Sequence, residues 1–304
     1  MIYISGTKDF KLTNTAVALG KFDGLHRGHQ VLINQINHYK SKGMLSVVFT
    51  FDYHPNSLFG DKEQNLIYTY EERRMIAERL GVDVLIEYPF TKETAAMEPA
   101  DFVKNVLVDE LGARFVVVGE DFRFGRKRMG DTVLLESMSP LLGYKADICR
   151  KICDTIPADT DGNSEAQTRE IGATLIRKML AAGDIETANK FLGRPFMIYG
   201  EVIHGRRIGR TIGMPTANIV TPSIKLLPPN GVYVSKTKVY NKVYPSVTNI
   251  GFNDDLYGRD IEVMLYHYQR PEMKFDTIEA LKNQMHQDGE SAVEYFKGRE
   301  DVQF

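Results

Sequence analysis

Two rhythms of apolar residues alternate along the first half of the chain. Short continuous runs stand at 15–22 (TAVALGKF), 44–51 (MLSVVFTF), 82–88 (VDVLIEY) and 114–119 (RFVVVG). Rich in Val, Ile and Phe, they predict strands buried on both faces. Between them the apolar positions recur at helical spacing. Val31, Leu32, Ile36 and Tyr39 share one face of 28–39, and 70–80 and 99–111 read as helices, the last with Pro99 in its first turn. A further strand is predicted over 144–153. Strands separated by helices predict βαβ units and a parallel sheet, with the ligand site beyond the carboxyl ends of the strands. Glycine-containing turns after Ala18 and after Val118 fall at two such ends.

The rhythm then changes. A turn-rich loop at 157–165 (PADTDGNSE) precedes a predicted helix over 169–182, with Leu175, Ile176 and Leu180 near one face, and a short one over 185–191 that stops at Gly193. After Pro195 come strand candidates at 197–203, 231–239, 243–249 and 260–268, separated by Gly, Pro and Asn. They predict a small antiparallel barrel or sandwich, closed by a helix over 277–296. The fold class expected is therefore α/β, with an N-terminal Rossmann-like domain on a parallel sheet and a small C-terminal β-barrel ending in a helix. The domain boundary is expected at 186/187, giving 1–186 and 187–304.

Composition narrows the classes. A length of 304 residues suits two domains, and a formal net charge of -2 gives the whole chain no electrostatic case for nucleic acid or anionic membrane. The two cysteines, Cys149 and Cys153, are too few for a disulfide-stapled secreted domain and lack the further ligands of a zinc site. They read as reduced thiols. The start, MIYISGTKDFKLTN, has no basic region followed by an apolar run, and nothing approaches the roughly 18 apolar residues of a membrane span. A cytoplasmic enzyme acting on small molecules is expected.

The segment Gly20-Lys21-Phe22-Asp23-Gly24-Leu25-His26-Arg27-Gly28-His29 carries the most chemistry. A strand runs into two glycines, then into two histidines three apart at a predicted helix start. Glycine permits close backbone approach and positive φ. A helix N-terminus offers unpaired N–H groups and a positive partial charge, which suit phosphate. His26 and His29 share the first turn, so both can donate to one triphosphate. Nucleotidyl transfer needs little beyond positioned groups and stabilised charge on the leaving pyrophosphate.

The string G-x-F-D-G-x-H-x-G-H resembles the H-x-G-H nucleotidyltransferase superfamily and, in this extended form, prokaryotic FAD synthetases. The resemblance implies catalytic roles for His26 and His29 and ATP contacts from Gly20, Phe22, Asp23, Gly24 and Gly28. Thr50-Phe51-Asp52-Tyr53-His54-Pro55 is similar to the family's T-F-D-P-H-P, with Tyr53 in place of a proline. That implies flavin binding by Tyr53, His54 and Pro55, with Asn56 as a neighbour in the same role. Val118 to Gly125, followed by Gly130-Asp131, is similar to V-G-x-D-F-x-F-G-x4-G-D, which implies flavin contacts from Asp121, Phe122 and Phe124. A rigid aromatic-glycine loop suits a flat ring. The basic run Arg126-Lys127-Arg128 reads equally as a phosphate-attracting turn or as a solvated loop. Ile171 to Arg177 is similar to I-S-S-T-x-I-R, which implies Thr174 and Arg177 at the triphosphate. Gly172 and Ala173 stand where the family has serines, so retuned activity is expected rather than loss.

The C-terminal domain resembles riboflavin kinase, the usual partner domain in the prokaryotic bifunctional riboflavin kinase/FAD synthetase family. Leu192-Gly193-Arg194-Pro195-Phe196 opens it. The glycine-rich stretch from Gly205 ends in Pro215-Thr216-Ala217-Asn218, which implies Mg²⁺ and ATP phosphates at Thr216 and Asn218. The pattern then breaks. The family runs N-I-G-x-x-P-T-F, then a strand E-x-H-L-L-D-F, then D-L-Y-G; here Asn249-Ile250-Gly251-Phe252-Asn253 runs almost directly into Asp255-Leu256-Tyr257-Gly258. The absent strand carries the family's general base. Glu262 follows D-L-Y-G and belongs to a different strand. The expected function is an FMN adenylyltransferase that takes FMN and ATP with Mg²⁺ to FAD and pyrophosphate, with the kinase activity lost or weak. Two alternatives stay open: the full bifunctional enzyme, and a degenerate flavin- or nucleotide-binding regulatory paralogue.

Overall fold

A computed structural model of the chain describes residues 1–52, 65–156, 167–203, 216–240, 242–251 and 260–299. The chain divides into two compact units: Met1–Gln64 with Arg73–Ile171, and Asn65–Glu72 with Gly172–Phe304.

The first unit is built on a six-stranded parallel sheet. Its strands are β1 (Ile2–Ser5), β2 (Thr15–Leu19), β3 (Leu45–Phe51), β4 (Val84–Tyr88), β5 (Ala113–Gly119) and β6 (Lys145–Cys149), in the order β1-β4-β3-β2-β5-β6. Every residue of β2 and β4 is buried, as a strand covered on both faces must be. Alternate residues serve opposite faces. Val17, Leu19, Val47, Phe49, Val84, Ile86, Val116 and Val118 join one core cluster with Phe102, Val103, Leu107 and Tyr144. On the other face lies α1 (Arg27–His38), which packs on β2, β3 and β5 and buries Leu32, Ile33 and Ile36.

Chain order reverses at β2, which has β3 on one side and β5 on the other. In open parallel sheets such a reversal leaves a crevice beyond the carboxyl ends of the two strands. The segments after β2 and after β5 are the two glycine-containing turns.

Between the strands run α2 (Tyr70–Arg79), α3 (Lys92–Ala96), α4 (Pro99–Asp101) and α5 (Thr132–Leu142). α4 continues through Phe102–Glu110 with wider, π-type turns. Two boundaries differ from those the sequence predicts. The single strand over 144–153 is two, β6 and β7 (Cys153–Ile156). The helix expected from 169 begins at Ala173, because β8 (Gln167–Glu170) pairs antiparallel with β7 and Ile171 N–H donates to Ile152 O at 2.9 Å. That hairpin holds the chain extended until Gly172, which opens α6 (Ala173–Ala182).

The second unit is antiparallel. β9 (Phe196–Ile203), β10 (Asn218–Val220), β11 (Gly231–Val239), β12 (Lys242–Ile250) and β13 (Asp260–Arg270) form a curled half-barrel in the order β10-β9-β13-β11-β12. α7 (Ile185–Leu192) packs on β9 and β13, and the C-terminal α8 (Ile278–Phe296) packs on β12 and β11. Residues Asn65–Glu72 complete this unit: Leu66 bridges Lys225, and Tyr199 N–H donates to Glu72 Oε1 at 2.8 Å.

Candidate active site

The turn after β2 is shaped by left-handed backbone at Phe22 (φ 47°), Gly24 (φ 80°) and Leu25 (φ 42°). Phe22 and Leu25 tolerate that conformation because their side chains are buried, at 0% and 1% exposure. Thr50 Oγ1 donates to Lys21 O at 3.1 Å and ties the turn to β3. A Cβ on Gly20 would meet the Phe22 ring at 3.2 Å. Glycine there lets the ring fold back under the turn.

His26 is the N-cap of α1, its Nδ1 accepting from His29 N–H at 3.4 Å. The two imidazoles stack, with ring centroids 3.7 Å apart and planes 22° from parallel. The Phe22 ring lies tilted against His29, with centroids 5.1 Å apart. Gly28 sits between, and a Cβ there would meet His26 Cε1 and Nδ1 at 3.1 Å and Ile171 O at 3.5 Å. The glycine of H-x-G-H is thus what allows the imidazoles to lie face to face. His26 is 7% exposed and His29 half-buried, so the pair is held within the fold rather than splayed into solvent. Next in the helix, Arg27 pairs with Asp154 on β7.

The loop after β5 forms the other wall. Phe124 N–H donates to Gly130 O at 3.0 Å, and Gly130 N–H donates back to Phe124 O at 2.9 Å. Cβ atoms on Gly125 (φ 69°) or Gly130 would meet Pro99 at 2.8 Å. Phe122 and Phe124 lie nearly parallel, 5.6 Å apart, and Phe102 flanks Phe124 at 5.7 Å. Asp131 caps α5 by accepting from Leu134 N–H at 3.0 Å, and pairs with Arg123 at 2.8 Å.

These walls enclose a cleft of about 610 Å³. Gly20, expected at ATP, and Phe122 and Phe124, expected at the flavin, line it together. Leu19, Lys21, Phe49, Phe51, Phe90 and Lys92 line it too, and sequence reasoning assigned none of these six a role. Phe49 read simply as a strand residue and Phe51 as part of the T-F-D segment without a role of its own; their place at the carboxyl end of β3 is the signal that marks them. Asp121 is outside the cleft lining and pairs with Lys151 at 2.9 Å. Held by Glu170 and Asp121, the Lys151 ammonium keeps its proton well above the ordinary lysine range. Tyr53, His54, Pro55 and Asn56 lie outside the described residues.

Thr174 and Arg177 are on α6 of the second unit. Thr174 is exposed, and Arg177 Nη2 donates to Asn65 O at 3.4 Å. Gly172, where the family has serine, is the N-cap of α6 and makes no side-chain cap bond. Thr216 and Asn218 both line a large cavity of about 1230 Å³ in the second unit, together with Asn249, Arg270, Glu272 and Asp288. Residues 205–215 and the junction Phe252 to Gly258 lie outside the described residues.

A family model described as FAD synthetase matches residues 9–157, and one described as riboflavin kinase matches residues 192–254 and 251–296. The bifunctional riboflavin kinase/FMN adenylyltransferase of Bacillus subtilis is 34% identical, over 93% of this chain and 92% of its own length. That of Escherichia coli K12 is 33% identical, over 92% of each. The chain belongs to the bifunctional riboflavin kinase/FMN adenylyltransferase family. Its FAD synthetase match covers β2 to β6 of the parallel sheet with the stacked histidines, and its riboflavin kinase match covers the antiparallel half-barrel. Among solved structures, a chain described as a macrolide-efflux protein from Streptococcus pneumoniae superposes with a TM-score of 0.79 at 27% identity, covering 96% of this chain and 99% of its own. That description speaks of export, yet among the described residues no helix here is long and apolar enough to cross a membrane.

Proposed function

We propose that the chain transfers the adenylyl group of ATP to the phosphate of FMN, giving FAD and pyrophosphate, and that its second unit retains little riboflavin kinase activity. One observation carries the transferase reading. The stacked His26–His29 pair stands at the N-terminus of α1, and the turn leading to it, Gly20–Lys21, forms one wall of an aromatic cleft at the reversal of strand order. The flat isoalloxazine fits among the phenyl rings, and the triphosphate fits the helix N-terminus.

In this reading an FMN phosphate oxygen attacks the α-phosphorus of ATP. The bond from that phosphorus to the bridging oxygen breaks, and pyrophosphate leaves with the electron pair. The imidazoles and the first-turn N–H groups of α1 stabilise the charge that develops on the triphosphate. Magnesium accompanies ATP as counter-charge. In the kinase-like unit, the Thr216 hydroxyl and the Asn218 carbonyl are oxygen donors of the type it takes. A cytoplasmic site of action follows from the need for ATP.

Two observations support a weakened kinase. The riboflavin kinase model matches in two pieces that meet at 251–254, where the sequence lacks the strand bearing the general base. Glu262 is no substitute: the cavity takes Ile261 and Val263 from β13, which puts Glu262, 4% exposed, on the opposite face. A missing general base costs about 10² to 10⁴ in rate. One observation favours the full bifunctional reading. Glu272 lines the same cavity as Thr216 and Asn218, and Asn249 Nδ2 donates to its Oε1 at 3.2 Å.

The test uses the full chain. With FMN and ATP·Mg²⁺ it should release FAD and pyrophosphate; with riboflavin and ATP·Mg²⁺ it should yield little FMN. Robust FMN formation that Glu272→Gln abolishes would select the bifunctional reading. Flavin binding with no turnover of either substrate would select the regulatory paralogue.

A further inference from the structure

The cleft has an apolar floor and a cationic rim. Lys21, Lys92, Arg123, Arg126, Lys127 and Arg128 line it, and among the described residues no carboxylate does. Two of these charges are already answered: Arg123 pairs with Asp131 at 2.8 Å and Arg126 with Glu98 at 3.1 Å. Among the described residues, Lys127 and Arg128 have no carboxylate within ion-pair distance.

The backbone of these two residues is unusual. Lys127 has φ 51° and Arg128 φ 60°, consecutive left-handed conformations that side chains with a Cβ rarely adopt. The turn is over-determined from outside. Arg126 N–H donates to Met97 O at 2.8 Å, Arg128 N–H to Gly125 O at 3.0 Å and Met129 N–H to Arg126 O at 3.1 Å, between the anchored Gly125 and Gly130. Glycine would relieve the strain at either position. Strained residues held in place by their surroundings concentrate where they serve a ligand. Here the strain directs two unanswered cations to the mouth of an aromatic cleft.

We infer that the Lys127–Arg128 turn holds the phosphate of the flavin and makes the transferase site select FMN over unphosphorylated riboflavin. The inference rests on the transferase reading above. The aromatic floor grips the ring system that both flavins share, so it cannot tell them apart. Only the dianionic phosphate distinguishes them, and a cationic rim is the feature that reads it.

Lys127→Gly separates this role from a structural one, because it removes the charge and relaxes the backbone together. Steady-state FAD formation reports only on the transferase site, with riboflavin used as a competitive inhibitor. The expected result is a KM for FMN about three- to tenfold higher, an unchanged inhibition constant for riboflavin, and a melting temperature no lower than that of the unaltered chain. Lys127→Glu should raise KM further, and added salt should shrink the difference between the unaltered chain and both variants. An unchanged KM for FMN overturns the inference. So does parallel weakening of FMN and riboflavin, which would mean that the turn only shapes the cleft. Failure of the unaltered chain to make any FAD overturns the transferase reading as well, which distinguishes the two failures.

Discussion

The stacked imidazoles turn on one residue that has no side chain. Gly28 has ordinary helical backbone, so its glycine is required by space and not by φ. In Gly28→Ala the new Cβ must push against the His26 ring, whose position is fixed by its capping bond and by burial. Alanine is the better helix former by up to about 1 kcal/mol, so the fold should survive while the imidazole pair is tilted apart. We expect FAD formation to lose roughly tenfold or more in kcat with little change in melting temperature. His29→Ala should cost more, about 10², as for removal of one donor to developing charge. In both variants kcat should fall more than FMN affinity. A KM effect with kcat intact would place the histidines at the flavin instead of the triphosphate. The sequence made the pair legible as H-x-G-H. It could not show why the glycine matters, since the obstacle is a ring that returns to cap its own helix.

Among the elements, what the sequence revealed follows burial. β2, β3, β4 and β5 are buried along most of their length and read as continuous apolar runs. The edge strand β1, Ile-Tyr-Ile-Ser, is too short a run to stand out at the head of a polar segment, and the wholly exposed β8 gave no signal because a strand that buries little need not be apolar. β8 instead lent its residues to a predicted helix, since only its pairing with β7 reveals it. α5 escaped notice because Pro140 interrupts it, although Asp131 supplies an N-cap and Gly143 (φ 75°) a left-handed C-cap. In the second unit α8 is legible as a helix, but what holds it is not. Arg270, at the end of β13, donates through Nε to Asp288 Oδ1 at 2.9 Å and through Nη2 to Oδ2 at 2.5 Å, and Gln284 donates to the same carboxylate at 3.0 Å. Asp288 is 3% exposed, although the chain is polar on either side of it. Asp288→Ala would leave a partly buried guanidinium with no carboxylate in that fork, at a cost of about 2 kcal/mol. Hydrogen exchange should show α8 and the end of β13 losing protection together while β2–β5 keep theirs. Undiminished protection of α8 would mean that apolar packing alone seats the helix.

At the scale of the whole molecule, the second unit is not the C-terminal stretch alone. A cut at Gly172 separates it from Asn65–Glu72, which belong to it in space. The loss falls on Lys225, whose side chain is 0% exposed, as is that of its partner Glu72. The ammonium donates to Glu72 Oε2 at 2.6 Å, Ile67 O at 2.8 Å and Met197 O at 2.8 Å. Tyr68 and Phe196 lie 4.8 and 4.3 Å from it through their ring faces. The fragment 172–304 keeps Met197 and Phe196 but loses Glu72, Ile67 O and Tyr68. Removing one partner of a buried ion pair costs about 3–5 kcal/mol, against about 5–15 kcal/mol of stability for a whole domain. The backbone pairing of Leu66 with Ile224 and Leu226, at 2.7 and 2.8 Å, goes with it. We therefore expect the isolated fragment 172–304 to lack a cooperative thermal transition, and a peptide spanning 65–72 to be too short to restore one by itself. In the full chain, Lys225→Ala should lower the unfolding midpoint of the second unit and leave that of the parallel sheet in place. A cooperatively melting fragment would show that the half-barrel tolerates a buried lysine without its carboxylate, and that residues 65–72 follow the second unit's fold without helping to make it.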